Sequence, residues 1–373
     1  MDIPILATAA AGVGIGIVVI CYLYGRNDEQ EAAVNVQDDI MRMQMSQREM
    51  NTFQAHSIQP TEEYHDGFKR ALDMLIRYLH SENVPFDVSE VVKSGSLGKG
   101  TAVIGKADID CVMYINNFRG MDNIQLKIKE CIDNIWDILA AHKWNREGKL
   151  KLIRRDSYLI NLKLRGRYDD EFHEVDLLPT YDILKRYPGK ADIYGEMRNI
   201  DGRSRGFYSA PLAPLQLEFV KKQPTIVKSL IRTVKYWSKT RRSFQKGPPS
   251  YFYELLVIDT WERAGSPRSF DLRVGLRTVL QRLTDPGSIR IKWTVNYDRP
   301  CCEPRPGRPW IVDPANPFSD VGYNIDSVTC GQLAREADKG LHSPLLKDVE
   351  KWGISLETSV KLCKRSGRGY PTQ

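Results

Sequence analysis

Asp108 and Asp110 stand two residues apart in the run DIDCVMYI, whose apolar and β-branched residues suit a strand. Alternation along that strand sends both carboxylates to one face. Two carboxylates on one face repel each other unless a cation lies between them, and magnesium is the usual hard cation held by one or two carboxylates plus substrate phosphates. Just upstream, Gly95-Ser96 offers backbone N–H groups and a hydroxyl for such phosphates. Gly98-Lys99 does not form the loop of nucleoside triphosphatases. That loop needs four residues between its first glycine and Gly-Lys-Ser/Thr, whereas Gly95 leaves two and Gly100 follows Lys99. An Asp-x-Asp pair alone also fits the wet face of an edge strand after a plain turn. A third carboxylate tips the reading: in FHEVDLLP, residues 172–179, Asp176 lies among Val175, Leu177 and Leu178 in a run that stops at Pro179, a charge inside an otherwise buried segment. Three strand carboxylates and a Gly-Ser turn fit a two-metal site for nucleotidyl transfer.

The elements that position these residues belong to a chain of 373 residues, 42% hydrophobic, long enough to bury a sizeable core as one bilobed domain or two. The formal net charge of +7 favours polyanionic partners only where it is clustered, and it is: Lys221 to Lys246 holds nine basic residues and no acidic one. Lys228, Arg232, Lys235 and Lys239 recur there at helical spacing, as either a solvated face or a nucleotide-binding one. Seven cysteines form no regular framework, which suits free thiols in a reducing compartment. Cys301-Cys302 has no nearby Cys or His to complete a finger, so no structural zinc is expected.

Residues 3–24 carry no charge over 22 positions, enough for a helix across a bilayer. Only Met1-Asp2 precedes this run and Arg26 follows it, which suits an anchor with the bulk of the chain in the cytosol better than a cleaved signal peptide. The expectation is a single-pass membrane protein. Residues 26–59 look like a juxtamembrane tether, and folded structure is expected from about Pro60. Thr61 opens an amphipathic helix with Phe68, Leu72, Leu75, Ile76 and Leu79; Ile124 to Leu139 gives another, and 151–165 with 172–178 give strands flanking the Asp108 strand. From Pro211 the chain turns mainly helical, with one late strand at IRIKWTVNY. The fold expected is α+β: a membrane anchor at 3–25, a tether at 26–59, a mixed-sheet catalytic lobe at 60–215, a helical lobe at 216–345 and a tail at 346–373.

Gly95-Ser96, Asp108-Ile109-Asp110 and Asp176 together resemble the nucleotidyltransferases of innate immunity. The runs VVKSGSLGKGT, EVDLLPTYD, KSLIRTVKYW, PPSYFYELLVIDTWE, GLRTVLQRL, WTVNY and RPWIVDPANPFSDVG resemble the 2′-5′-oligoadenylate synthases in particular, in family order from about residue 60 to 340. The resemblance implies a bilobed nucleotidyltransferase fold and an enzyme of antiviral defence that polymerises ATP. It implies that Asp108, Asp110 and Asp176 hold two Mg²⁺ ions, that Gly95, Ser96 and Lys99 serve the donor phosphates, and that Arg232, Lys235 and Tyr251 bind nucleotide. It further implies activation by double-stranded RNA, with Lys93, Lys221 and Thr225 at RNA-contacting positions. Leu217 departs from the pattern, standing where a family member has arginine. Two other readings stay open: a synthase making a cyclic dinucleotide, as in the cyclic GMP-AMP synthase branch, and a membrane scaffold that binds nucleotide without catalysis.

Overall fold

The computed structural model describes residues 39–354 apart from 105–107, 119, 121–123, 166–171, 242 and 245–246. Its first core is built on a mixed sheet of β1 (Val88–Lys93), β2 (Asp108–Ile115), β3 (Leu150–Arg155), β4 (Ile160–Leu164) and β5 (His173–Thr180) in the order β1-β2-β5-β4-β3. The β2–β5 pair is parallel and the rest antiparallel. Parallel pairing requires a long crossover, here the helix Ile124–Ala141 and the β3–β4 hairpin. Ile109, Cys111, Leu162, Leu164, Val175 and Leu177 form the apolar face of this sheet, in one core with the helices Glu62–Leu79 and Ile124–Ala141. The opposite face meets Ala210 and Ala213 at one end through Val112, Tyr114 and Leu178, and carries charged residues over the remainder.

Labelled in chain order, the helices used below are α1 (Gln47–Phe53), α2 (Glu62–Leu79), α3 (Gly95–Lys99), α4 (Ile124–Ala141), α5 (Lys190–Asn199), α6 (Ala213–Lys221), α7 (Thr225–Lys239), α8 (Ser250–Arg263), α9 (Leu272–Leu283) and α10 (Ser327–Leu341). Thr61 caps α2 by accepting from Tyr64 N at 3.2 Å, and acidic Glu62 and Glu63 at its start with Arg77 in its last turn suit the helix dipole. The second core gathers α7, α8, α9 and α10. Val227, Leu230, Ile231, Val234 and Trp237 make the inner face of α7, while α8 is buried from Tyr251 to Thr260. Gly275 lets α9 approach α7 closely, since a Cβ there would meet Leu230 Cδ2 at 2.6 Å.

Several expectations change. Within the stretch expected to be mainly helical from Pro211, Pro224 separates α6 from α7, since it lacks the N–H that a helix interior needs. Only β5 of the later strands flanks β2, and the other flank is β1, a half-buried strand that the sequence does not announce. The late strand shrinks to Arg290–Ile291, because the next residues are anchored by side chains: Trp293 Nε1 donates to Glu262, and Tyr297 donates to the Asp313 carbonyl. Residues 39–58, expected in a tether, pack on the helical lobe with Ile40, Met50 and Ile58 wholly buried, and Arg241 pairs with Asp39.

The expectation of a single-pass membrane protein is corrected. Among the described residues no helix is long and apolar enough to cross a membrane. The two helices of 18 residues, α2 and α4, carry charges on every turn or two, from Glu62 to Arg77 and from Lys127 to Asp137, which fits them to one wet and one buried side. Residues 3–25, on which the anchor was expected, lie outside the described residues.

Candidate active site

Strand register builds the acidic half of the site. Across the parallel β2–β5 pair Asp110 is the direct partner of Asp176, and Asp108 that of Glu174. On the other side of β5, Asn161 of β4 stands opposite Asp176 and Lys163 opposite Glu174. Arg154 and Lys151 of β3 continue the two rows opposite Asn161 and Lys163. Asp176 is buried, and Asn161 Nδ2 donates to its Oδ1 at 2.7 Å and to Glu174 Oε1 at 2.9 Å. Cys111, one residue on from Asp110, turns to the core, where burial first and the Asp110 charge second push its thiol up, so it remains a protonated packing residue.

Directly opposed strand residues bring their Cβ atoms within about 5 Å, so Asp110 and Asp176 repel each other unless a cation is shared. The Asn161 amide engages Oδ1 of Asp176. That donor set of oxygen ligands from rigid strands fits a hard divalent cation. Among the described side chains no group of three His, Cys, Asp or Glu is close enough to hold a metal ion. The side chain of Asp108 lies outside the described residues; its place on β2 puts it on the Asp110 face.

The Gly-Ser stretch is a short helix, α3, fixed beside Asp110. Ser94 donates to the Asp110 carbonyl twice, from N at 2.8 Å and from Oγ at 3.0 Å. Gly95 takes φ +72° to turn the chain from β1 into α3, a conformation that favours glycine. Gly98 is equally required: a Cβ there would meet the Lys93 carbonyl oxygen at 2.4 Å and Leu217 Cδ1 at 3.3 Å. Ser96 is buried, and its carbonyl accepts from Thr101 N at 2.8 Å.

The structure gathers the expected nucleotide-binding cations, but around a carboxylate. Lys99 Nζ lies 3.2 Å from Glu254 Oε2 and 4.1 Å from the Tyr251 ring centre. Lys235 Nζ lies 3.3 Å from Glu254 Oε1 and donates to the Thr101 carbonyl at 2.9 Å, while Thr101 Oγ1 donates to Glu254 at 2.6 Å. Arg232 donates to the Gly100 carbonyl at 2.6 Å and to Gln59 Oε1 at 2.9 Å. Tyr251 donates to Asp313 at 3.3 Å. Lys99, Arg232, Lys235 and Glu254 are 6%, 6%, 2% and 1% exposed, so the middle of the α7 face that reads as solvated or ligand-binding is buried beside the end of α3, while Lys228 and Lys239 are half-buried. Burial alone would raise the Glu254 carboxyl, but Lys99, Lys235 and Thr101 outweigh it and hold it below the usual range. Burial pushes the Arg232 guanidinium down to about 10.

Of the expected RNA-contacting residues, Lys221 and Thr225 are exposed at the end of α6 and the start of α7. Lys93 ends β1 and pairs with Asp73 at 2.6 Å. Lys228 Nζ donates to the Lys221 carbonyl and its chain runs beside Gly100, so these residues and α3 share a neighbourhood. Leu217 of α6 packs toward Gly98, which gives the missing cation a structural counterpart.

Asn161, Glu174 and Glu254 were not singled out from the sequence. Glu254 carries a signal that could have found it, as an acid inside the apolar run YFYELLVI. Glu174 sits two before Asp176, the strand spacing used for Asp108 and Asp110. Asn161 has no such mark, since its role depends on the register of β4 against β5.

Comparisons with known proteins follow this geometry. Residues 188–357 match the family described as 2′-5′-oligoadenylate synthetase 1, domain 2, C-terminus. The chain is 31% identical to 2′-5′-oligoadenylate synthase 1A of Rattus norvegicus, over 80% of this chain and 92% of the relative. It is 33% identical to 2′-5′-oligoadenylate synthase 1A of Mus musculus, over 72% of this chain and 80% of the relative. Against 2′-5′-oligoadenylate synthase 2 of Mus musculus it is 28% identical and spans 47% of the relative's length. Among solved structures, CdnC of E. coli MS115-1 with ATP superposes at a TM-score of 0.56 and 20% identity, covering 79% of this chain and 90% of that one. The structure of mtPAP in complex with GTP gives a TM-score of 0.58 at 11% identity, covering 84% and 74%. These likenesses place the fold among the nucleotidyltransferases.

Proposed function

The chain belongs to the 2′-5′-oligoadenylate synthase family and is a nucleotidyltransferase, and from that premise we propose that it polymerises ATP into 2′-5′-linked oligoadenylates, switched by double-stranded RNA in antiviral defence. The observation that carries the reading is the direct pairing of Asp110 with Asp176, with Asp108 at the next same-face position of β2. In the reaction the acceptor 2′-oxygen bonds to the donor α-phosphorus, the bond from that phosphorus to the α–β bridging oxygen breaks, pyrophosphate leaves with the electron pair, and the hydroxyl proton passes to water. Asp108, Asp110 and Asp176 would hold two Mg²⁺ ions, which when bound lower the pKa of the acceptor hydroxyl and neutralise charge on the phosphates. Asn161 holds one oxygen of Asp176 and so fixes the direction of the other.

The donor triphosphate would lie at Gly95 and Ser96, where the start of α3 offers backbone N–H groups. Lys99, Arg232 and Lys235 stand behind α3 and supply positive potential there. Direct contact requires Lys99 to exchange Glu254 for the triphosphate, with Tyr251 beside it. Lys93, Lys221 and Thr225 would meet RNA phosphates and 2′-hydroxyls. The test is incubation of the purified chain with ATP and Mg²⁺, with and without long duplex RNA, followed by phosphatase and chromatography. The reading predicts a linear oligoadenylate whose yield rises with duplex RNA. A cyclic dinucleotide contradicts it in favour of a cyclising synthase, and intact ATP under all conditions contradicts it in favour of a binding scaffold.

A further inference from the structure

The face that carries the carboxylates changes sign along the sheet. One row of directly paired residues runs Asp108, Glu174, Lys163, Lys151 from β2 through β5 and β4 to β3, and the next runs Asp110, Asp176, Asn161, Arg154. Neighbouring strands lie about 4.8 Å apart, so Lys163 stands one strand spacing from Glu174 and Lys151 one further. Lys151 is exposed and Lys163 half-buried. Like charges directly opposite one another across an antiparallel pair destabilise it. Among the described residues no salt bridge from a carboxylate to Lys163 is formed, and its neighbour Glu174 accepts from Asn161. Lysine on the edge strand β3 has an ordinary use in blocking edge-to-edge pairing. That use does not extend to Lys163, because β4 is paired on both sides. Lys151 is also held in place: its Nζ lies 4.2 Å from the Phe172 ring centre, with Arg165 Cζ 5.0 Å from the same ring.

We propose that Lys151 and Lys163 bind the 5′-phosphates of the acceptor, whether ATP or the growing oligoadenylate. The inference rests on the nucleotidyl-transfer reading and deepens it. In-line displacement puts the attacking oxygen and the leaving pyrophosphate on opposite sides of the reacting phosphorus. Gly95 and Ser96 lie on the β1 side of Asp110, because Ser94 is bonded to the Asp110 carbonyl. With the in-line axis running across the strands, the acceptor enters from the far side of the carboxylates, the side of β4 and β3. Positive charge at this place, next to paired carboxylates, matches an acceptor that brings its hydroxyl to the metals and its phosphates to the lysines.

The test uses the full chain and two probes: 2′-5′-linked diadenylate with a 5′-triphosphate, and the same dimer without 5′-phosphates. Isothermal titration should show wild type binding the phosphorylated dimer more tightly. Lys151→Ala/Lys163→Ala should lose roughly tenfold of that preference at low salt, an effect expected for two partly exposed charge contacts, and Lys163→Arg should retain it. An unchanged melting curve shows that the variants are folded. Equal preference in wild type and the double variant, or no preference in wild type, overturns the proposal. The two readings fail separately: lysine-dependent binding without any 2′-5′ product removes the polymerase reading alone, and 2′-5′ synthesis with lysine-independent binding removes the acceptor site alone.

Discussion

On the β2–β5 face, Asp110 and Asp176 stand opposite each other because parallel register puts them there, and the site keeps two like charges together on rigid strands. Behind α3, Lys99 and Lys235 are held by the opposite arrangement: a single buried acid, Glu254, pairs with two buried ammonium groups and leaves a net positive charge. The first region sets carboxylate against carboxylate, and the second sets cations around a carboxylate. The difference teaches where each half of the site is sensitive. Removing a charge from the carboxylate face should affect chemistry and spare the fold, whereas removing one from the cation cluster should affect the fold first.

The largest effect tests the first half of that contrast. Asp110→Asn should lower turnover by at least about a thousandfold, several kcal/mol of transition-state stabilisation, while the melting temperature holds or rises. Wild-type turnover at saturating Mg²⁺ would break the contrast. For the second half, Glu254→Leu should cost about 3–5 kcal/mol of stability, because it removes the carboxylate that two buried ammonium groups share. A denaturant titration of the variant checks this, and a shift under about 1 kcal/mol would show that Glu254 does not hold the cluster.

Asp320 sharpens the comparison as a buried acid with no described cation paired to it. Burial lifts its carboxyl to about 6, against the opposing help of the Ile311 and Gly322 N–H groups, which both donate to Oδ1 at 3.1 and 2.9 Å. Its folded value exceeds the unfolded one, so stability is lost as pH rises from the unfolded value of 3.8 to about 6, and stays lost above. Asp320→Asn keeps an oxygen for both donors and should be more stable than wild type at pH 7.5, by on the order of 1–2 kcal/mol, with the difference vanishing below about pH 4. Thermal melts across that range check the sign. The smallest effect is Leu217→Arg, expected to tighten duplex RNA binding by about 0.5–1 kcal/mol once the lost packing toward Gly98 is offset. The salt slope of binding should steepen by about one ion. An unchanged slope would separate this face from RNA.

What could be read in advance follows from the range of the interactions involved. The strand placement of Asp110 and Asp176 was legible because strand alternation and an acid in an apolar run are local signals. The helix stripes of α2 and α4 were legible for the same reason, as was the capping Thr61. The burial of Lys235 was not, because it depends on Glu254, 19 residues away, and on the Thr101 carbonyl, 134 residues away. Asn161 and β1 likewise take their meaning from strand pairing, which no short window contains. The charge-free run at 3–24 was the strongest single signal for a membrane, yet no described helix has that character.

The central claim is that the chain forms 2′-5′ bonds at the paired carboxylates. Radiolabelled ATP given to the purified full chain with Mg²⁺ and duplex RNA, then treated with phosphatase and a nuclease specific for 3′-5′ linkages, reports that bond directly. Oligoadenylates that resist the nuclease, formed by wild type and absent with Asp176→Asn, are the predicted result. Products that the nuclease digests, or nuclease-resistant products that Asp176→Asn forms as fast as wild type, would contradict it.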